Sequence, residues 1–283
     1  IMLGKDKTDY ETGIKLVRDI GLNKFDYGWN LKCQNIEEEN SLIVDSLLHI
    51  NETLYDSRTI HDLFKKSGGI VKRGHITTDA SEKPLLDGKP LEADVIVIST
   101  GAWMSEMFPK TIKPISSIIG LPVFYTSTPN GSDAFDKEKM PCWIDHGQNS
   151  FGIPSSEGSG IKAMIAIPEK IDLDNDERLI RREALARTQS YIKHRFPLLE
   201  GEKVVDSKFN QIIMTPDTHF VVDWHPEHQN VLFAGGCSGH LFKHGPIFGE
   251  FVSGVAMGDY GTADRFKVAG RKKLSPKESP SGR

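Results

Sequence analysis

The residues best suited to chemistry form a glycine-rich run near the C-terminus, Gly235–Gly239, which is followed shortly by Lys243. The apolar residues 231–234 before the run predict a buried strand, and Pro246 suits the first turn of a helix that we predict from Gly245 to Met257. A run of small residues lets the backbone approach a ligand closely. A lysine beside the amides at the start of a helix makes an electropositive spot, which suits an anion or developing negative charge.

A second candidate lies where the apolar run 93–100 meets Gly101. A continuous apolar strand is typical of a parallel sheet that is buried on both faces. Ligands of open α/β sheets bind at the carboxyl ends of the strands, so the turn after this strand is a candidate binding element. The alternative interpretation is a tight strand-to-helix connection.

Lys162 stands in a predicted strand of otherwise apolar residues, 161–165. Such a lysine could simply face solvent. If it points into a pocket instead, desolvation would lower its pKa, and it could hold a water or attract an anionic intermediate.

Several histidines raise the question of a metal site. Pro226 breaks the helix that would let His225 and His228 bind one ion, so we interpret these residues as loop histidines that cap turns and expect no metal. The histidines considered are His219, His225, His228, His240 and His244.

Composition limits the class of protein. The chain has 283 residues, 26% of them charged, and a formal net charge of -4, which is ordinary for a globular protein and indicates neither nucleic acid nor an anionic membrane as partner. The three cysteines are far apart and include no CxxC, which argues against a disulfide framework and for a reducing compartment. No apolar stretch is long enough to span a membrane, and no signal peptide is visible. The ending lacks Ser-Lys-Leu, which favours a cytoplasmic location over a peroxisomal one.

The pattern of elements predicts an α/β (α+β) fold. A helix at 9–19, a helix at 56–66, a hairpin at 83–90 turning at Asp87-Gly88, and strands at 221–223 and 231–234 surround a stretch of short β-like pieces from 114 to 167. A polar helix follows at 176–195, and the segment from Lys272 onward has the composition of a disordered tail. We therefore expect an α/β part interrupted by a mainly antiparallel β part.

Three segments together resemble the D-amino-acid oxidase/glycine oxidase superfamily, and within it the sarcosine oxidase type. Residues Ile96–Trp103 are similar to the family's V-V-S-x-G-A-W strand, and Gly152–Lys162 are similar to its G-F-P…G-G-x-G-L-K segment. The block from Thr215 to Lys243 is similar to T-x-D-x-x-F-I-I-D-x-H-P…N-V…G-x-S-G-H-G-F-K. N-methyltryptophan, pipecolate and fructosyl-amino-acid oxidases share this last block.

The resemblance implies an FAD-dependent oxidoreductase that oxidises the C–N bond of a secondary or N-substituted amino acid and reduces O2 to H2O2. It implies that Lys243 binds the substrate carboxylate and that Lys162 promotes O2 reduction. It also implies that ten residues contact the cofactor: Thr100, Gly101, Ala102, Trp103, Gly236, Ser238, Gly239, His240, Phe242 and Lys243. The expected partners are a small amino acid and O2, with no nucleic acid or membrane, and the expected state is a monomer or a small homo-oligomer.

Departures from the family pattern qualify these expectations. The sequence begins at Ile1 and has no GxGxxG, so we expect that the family's first, phosphate-binding βαβ unit precedes this chain. Asn210 stands where sarcosine oxidase has the cysteine that carries the flavin, which implies non-covalent FAD. Phe151, Ile212 and Ala166 replace polar residues of the sarcosine pocket, which implies a more apolar pocket for a bulkier N-substituted amino acid. Phe151 and Ile212 are thus expected to contact the substrate.

The expected organisation is a Rossmann-like FAD-binding domain, incomplete at its N-terminus, with an inserted antiparallel substrate domain. We expect a helical segment over 1–45, FAD-binding parts over 46–112 and 206–264, the substrate domain over 113–205 and a flexible tail over 265–283. Two alternatives remain open. One is a truncated, non-catalytic protein of this fold, and the other is a flavin dehydrogenase that uses another electron acceptor.

Overall fold

The computed structural model describes residues 2–3, 41–42, 69–145, 147–156, 158–173 and 180–274. The chain divides into two compact units. Among the longer described stretches, residues 121–167 and 180–210 form the first, which we call the antiparallel unit. Residues 69–120, 168–173 and 211–274 form the second, which we call the mixed unit. The helices predicted at 9–19 and 56–66 lie outside the described residues.

The elements are numbered along the chain. The strands are β1 Met2–Leu3, β2 Ser41–Leu42, β3 Ile76–Thr78, β4 Pro84–Leu86, β5 Lys89–Pro90, β6 Ile96–Ile98, β7 Ser117–Thr126, β8 Trp143–Asp145, β9 Ser150–Ile153, β10 Ile161–Ile165, β11 Glu169–Lys170, β12 Val204–Met214, β13 Val221–Trp224 and β14 Val231–Gly235. The α-helices are α1 Trp103–Met107, α2 Arg182–Arg195 and α3 Gly245–Met257. Short 3-10 helices occur at Lys113–Ile115, Pro197–Leu199, Phe242–His244 and Asp264–Phe266. No helix among the described residues is both long and apolar enough to cross a membrane.

The antiparallel unit is built on β10. This strand pairs antiparallel with β7 on one side and β9 on the other, and β9 pairs antiparallel with β8. Successive side chains of a strand alternate between faces. Ile161 and Ala163 therefore lie on one face, where they pack in a core cluster with Trp143 of β8 and with Tyr191 and Ile192 of α2.

The mixed unit is centred on β14, whose five residues are all buried. It pairs parallel with β6 and antiparallel with β13. Phe233 packs with the segment around α1 on one face of the sheet, and Leu232 packs with Val255 of α3 on the other. Covered faces on both sides explain the continuous apolar sequence of β14.

Several predictions agree with the structure. β4 and β5 form an antiparallel hairpin, and Asp87 and Gly88 both have positive φ, as a two-residue hairpin turn requires. α3 spans the predicted residues and has a proline in its first turn. The predicted short strands of the 114–167 stretch are present as β7 to β10.

Other predictions were wrong or incomplete. α2 begins at Arg182, because Arg181 has an extended backbone, so the prediction of a start near residue 176 was wrong. No strand was predicted for the eleven residues of β12. The predicted tail, 265–283, begins with residues that have fixed contacts. Val268 N donates to Asp223 Oδ2 at 2.8 Å, and the side chain of Arg271 is only 4% exposed.

The core of the antiparallel unit contains one buried polar contact that we use as a test. Trp143 Nε1 donates to Tyr191 Oη at 3.0 Å, and Tyr191 Oη donates to Asp145 Oδ2 at 3.4 Å. Burial raises the pKa of Tyr191 above its usual value. Tyr191→Phe should lower the free energy of unfolding by about 1–3 kcal/mol, because it leaves a buried indole N–H without an acceptor. Urea denaturation measures this, with Tyr260→Phe, at a half-exposed tyrosine, as the control; equal stability of the two variants would contradict the prediction.

A buried carboxylate–imidazole pair joins three segments of the mixed unit. The side chains of Glu82 and His225 are 3% and 2% exposed, and His225 Nε2 lies 3.1 Å from Glu82 Oε2. His225 Nδ1 accepts from the backbone N–H groups of Glu227 and His228, so the ring proton sits on Nε2 and is donated to the carboxylate. Glu82 also accepts from the backbone and hydroxyl of Thr111.

Both members of this pair make stability fall on acidification. Burial lowers the pKa of His225 below its usual 6.5, so the unfolded chain takes up a proton first as the pH falls below 6.5. The pKa of Glu82 is also lowered from 4.5: burial alone would raise it, but the hydrogen bonds from Thr111, Lys110 and His225 outweigh burial. Its contribution is present above pH 4.5 and is lost as the pH falls through the folded-state pKa.

We therefore expect Glu82→Gln to cost about 1–3 kcal/mol at pH 7 and to flatten the loss of stability below pH 4.5, because the variant lacks the carboxyl group that takes up a proton there. Denaturant unfolding at several pH values measures both effects. Asp94→Asn, at an exposed carboxylate of the same unit, is the control. An unchanged pH slope below pH 4.5 in Glu82→Gln would refute the assignment of acid sensitivity to this carboxylate.

Candidate functional site

The parallel pairing of β6 and β14 brings two predicted binding segments together. Ile96 is opposite Val231 and Ile98 is opposite Phe233. Because the strands run in the same direction, the residues that follow each of them emerge at the same edge of the sheet. Thr100–Trp103 and Gly236–Lys243 thus start from neighbouring positions at one carboxyl edge.

The turn after β6 is open to its surroundings. Gly101 has φ +58°, and a Cβ added there would meet no atom of the described residues within 4 Å. Trp103 N donates to Thr100 O, which starts the short helix α1. Thr100 Oγ1 is buried and has no hydrogen-bond partner within the described part of the chain. This turn therefore combines an exposed glycine with a buried hydroxyl that has no partner among the described residues.

The glycine loop, residues 236–240, is shaped by close packing. Gly236 has φ +64°, and a Cβ there would lie 2.9 Å from Val221 Cγ2 and 3.1 Å from Val221 N, so only glycine fits. Ser238 and Gly239 also have positive φ, at 45° and 80°. Consecutive unusual backbone conformations of this kind need support from neighbouring segments.

That support comes from the end of β12 and the turn that follows it. Ser238 N donates to Ile213 O at 2.9 Å, and Thr215 N donates to Ser238 Oγ at 3.2 Å. His240 Nε2 lies 2.9 Å from Thr218 O, to which it donates. In the sequence Thr215 stood out only as part of a motif. Its contact with the glycine loop was missed, because that contact joins residues 23 positions apart.

Three groups that can carry positive charge, His240, Lys243 and His244, lie at the end of the loop and just after it. Burial, followed by the charges of Lys243 and His240, lowers the pKa of His244 to about 4. Burial likewise lowers the pKa of His240. Lys243 keeps an exposed surface, but the protein around it still desolvates the ammonium and lowers its pKa. With both histidines neutral near pH 7, Lys243 is the charged group of this cluster, and α3 begins two residues after it.

In the antiparallel unit, Lys162 lies at the centre of the sheet. It is opposite Ile153 of β9 and Tyr125 of β7, and it is half-buried. Phe151 is opposite Met164. Alternation therefore puts Lys162 and Phe151 on the same face, away from the α2 core. Lys208 Nζ lies 5.3 Å above the ring of Tyr125, within cation–π range.

The remaining predicted positions fall in both units. Ile212 belongs to the mixed unit, and its Cδ1 would be 3.7 Å from a Cβ added to Gly239, so it lies beside the glycine loop. Phe242 is 66% exposed and Trp103 is 36% exposed. Ala102 and Gly236 are buried. Ala166 is half-buried in the antiparallel unit, and Asn210 is exposed.

The side chains and backbone at this sheet edge fit a flavin cofactor. A polar contact to a large heteroaromatic group could come from the Thr100 hydroxyl, which has no partner among the described residues. Space for its approach is left at Gly101. Apolar surface is offered by the exposed rings of Trp103 and Phe242. Among the described residues, no three His, Cys, Asp or Glu side chains are placed to hold a metal ion.

A parallel strand pair with glycine turns at its carboxyl edge is typical of α/β proteins that bind nucleotide cofactors. The model of the FAD dependent oxidoreductase (DAO) family matches residues 54–254, and the chain belongs to this family.

The relatives are oxidases. The chain is 31% identical over 176 residues to monomeric sarcosine oxidase of Bacillus sp. (strain B-0618), an alignment that covers 58% of this chain and 43% of the relative. It is 24% identical over 214 residues to human peroxisomal sarcosine oxidase, covering 71% of this chain and 54% of that one. The chain thus spans about half the length of these relatives.

Solved structures support the fold. A thermally stable mutant of fructosyl peptide oxidase superposes with a TM-score of 0.66 at 16% identity, over 100% of this chain and 76% of the other. Iminodiacetate oxidase from Chelativorans sp. BNC1 superposes with a TM-score of 0.65 at 13% identity, over 94% and 74% of the two chains.

The charge of Lys243 should influence the titration of the neighbouring His244. Lys243→Met should raise the pKa of His244 from about 4, because it removes one of the charges that depress it. The pKa should stay below 6.5, because burial is the larger cause. An NMR titration of the histidine ring protons measures the shift, with Lys89→Met, at an exposed lysine of the hairpin, as the control. An unchanged His244 midpoint would argue against the charge coupling.

Proposed function

We propose that this protein is an FAD-dependent oxidase of secondary or N-substituted amino acids that reduces O2 to H2O2. The observation that supports this most is the common sheet edge of the mixed unit, where the Thr100–Trp103 turn and the Lys243-bearing glycine loop meet. The names of the relatives point to N-substituted amino acids as the substrate class.

The proposed cofactor site uses the residues of this edge. Thr100 Oγ1 would donate to the cofactor, and Gly101 and Gly239 would allow close approach. The exposed rings of Trp103 and Phe242 would contact its apolar surface. When bound, FAD would supply the two-electron acceptor for the substrate and the donor for O2. Asn210 offers no thiol for a covalent link, so we propose non-covalent binding.

Two lysines have proposed roles. The Lys243 ammonium would pair with the substrate carboxylate, and such a pair would be strengthened by partial desolvation. The Lys162 ammonium, on the sheet face that it shares with Phe151, would stabilise negative charge that develops on O2. The apolar side chain of Ile212, beside the glycine loop, would contact the substituent on nitrogen, which favours a larger N-substituent than methyl.

The test uses the protein expressed from its complete reading frame, with FAD absorbance and peroxide formation measured on a panel of N-alkyl and cyclic amino acids. We expect bound flavin and peroxide. Lys243→Met should raise KM for a carboxylate substrate about ten- to a hundredfold and leave the matching carboxamide unaffected, because a hydrogen bond to a charged group contributes about 1.5–3 kcal/mol. Lys89→Met is the control. Absence of flavin would overturn the proposal, and equal effects on carboxylate and carboxamide would overturn the role of Lys243.

A further inference from the structure

Arg271 makes an unusually complete set of hydrogen bonds for a residue near the end of the described chain. A guanidinium has five N–H donors. Here Nε donates to Lys267 O at 2.7 Å, and Nη1 donates to Asp217 Oδ1 at 2.9 Å and to His219 O at 3.1 Å. Nη2 donates to Arg265 O at 2.9 Å and also to Phe220 O.

These acceptors lie on two segments. Lys267 and Arg265 belong to the same C-terminal segment as Arg271, whereas the other three acceptors belong to the turn 215–220. The guanidinium therefore crosslinks the C-terminal segment to this turn. Its side chain is only 4% exposed, so water cannot readily replace the bonds if the arginine is removed.

The turn 215–220 in turn holds the glycine loop. Thr215 N donates to Ser238 Oγ, and Thr218 O accepts from His240 Nε2. Thr218 has φ 58°, an uncommon conformation for a threonine that needs external support. Arg271 binds the carbonyls of the next two residues, His219 and Phe220, and so fixes the orientation of the peptide groups that follow these two residues.

We infer that Arg271 is a positioning residue for the cofactor site: by fixing the turn 215–220 it holds the glycine loop, residues 236–240, in the conformation that binds FAD. This inference rests on the proposed function for its final step, since it takes the loop as part of the flavin site. Its first step concerns this chain alone. The segment has a second tie, Val268 N to Asp223 Oδ2, so loss of Arg271 should loosen the turn without detaching the segment.

The experiment compares Arg271→Met with Arg265→Met, which removes the same charge from an exposed residue of the same segment. Hydrogen–deuterium exchange is read at Thr218 in the turn, at Ser238 and His240 in the loop, and at the β13–β14 ladder. We expect Arg271→Met to accelerate exchange in both turn and loop by about tenfold or more and to leave the ladder unchanged. Arg265→Met should match the parent protein.

Two results would overturn the inference. One is a loosened turn with unchanged exchange at Ser238 and His240, and the other is an equal loss of protection through the whole mixed unit. If Arg271→Met does not fold, Asp217→Asn, which weakens one bond to Arg271, is measured at the same amides, and either of the same two results would again overturn the inference.

The same variants are then compared as flavoproteins. Arg271→Met should shift the absorption spectrum of the bound flavin and weaken FAD binding about tenfold or more, whereas Arg265→Met should do neither. Unchanged flavin spectra and affinity would overturn the step from loop to cofactor. If no variant and no parent protein binds FAD, the proposed function fails, while the exchange data still decide whether Arg271 controls the loop.

Discussion

The parallel pairing of β6 with β14 is the constraint on which the candidate site depends. Parallel strands deliver the residues that follow them to one edge, whatever their separation in sequence. The register is fixed by backbone bonds such as Ile96 N to Asn230 O at 2.7 Å and by burial of both faces of β14. The rings of Phe233 and Phe108 pack edge to face, with 4.8 Å between their centroids. A slip of one residue would turn Phe233 to the other face of the sheet and break this contact. The packing of the core therefore sets the relative position of the turn at Gly101 and the glycine loop.

Local sequence signals predicted the elements that this constraint uses. β14 was predicted from its continuous run of apolar residues, and α3 was predicted from the glycine and proline at its start. Both signals are local in the sequence. β12 was missed because Asp206, Ser207 and Lys208 interrupt any apolar alternation, and the strand is largely exposed over its first half. The start of α2 was placed too early because polar residues favour a helix without defining where it begins.

The long-range contacts of the mixed unit could not be predicted from such local signals. The residues of the Glu82–His225 pair are 143 positions apart, and Arg271 contacts Asp217 across 54 positions. No periodicity connects such residues, since their encounter depends on the tertiary fold. Resemblance to a family located the loop and its lysine, but it did not identify what holds the loop. The fold class could thus be predicted from the sequence, whereas these long-range contacts became visible only in the three-dimensional structure.

The glycines of the site are of two kinds. Gly236 is imposed by packing, because its Cα faces Val221 and Thr215 at distances that leave no room for a side chain. Gly101 has a positive φ but open space around it. Packing alone therefore accounts for the first glycine and would be satisfied without any ligand. The second glycine, beside the unpartnered hydroxyl of Thr100, is the one whose surroundings are left for another molecule.

The groups near the glycine loop that can be positively charged disfavour one another's charged forms. His240, Lys243 and His244 each have a lowered pKa, and for the two histidines a neighbouring positive group adds to the effect of burial. The positive end of α3, which starts at Gly245, acts in the same direction. Cations at the start of a helix reduce stability, so this arrangement destabilises the folded chain. No described contact of Lys243 offsets this destabilisation. An anion placed at Lys243 would interact favourably with the ammonium and with the positive end of α3, which is the physical reason for proposing that a carboxylate binds there.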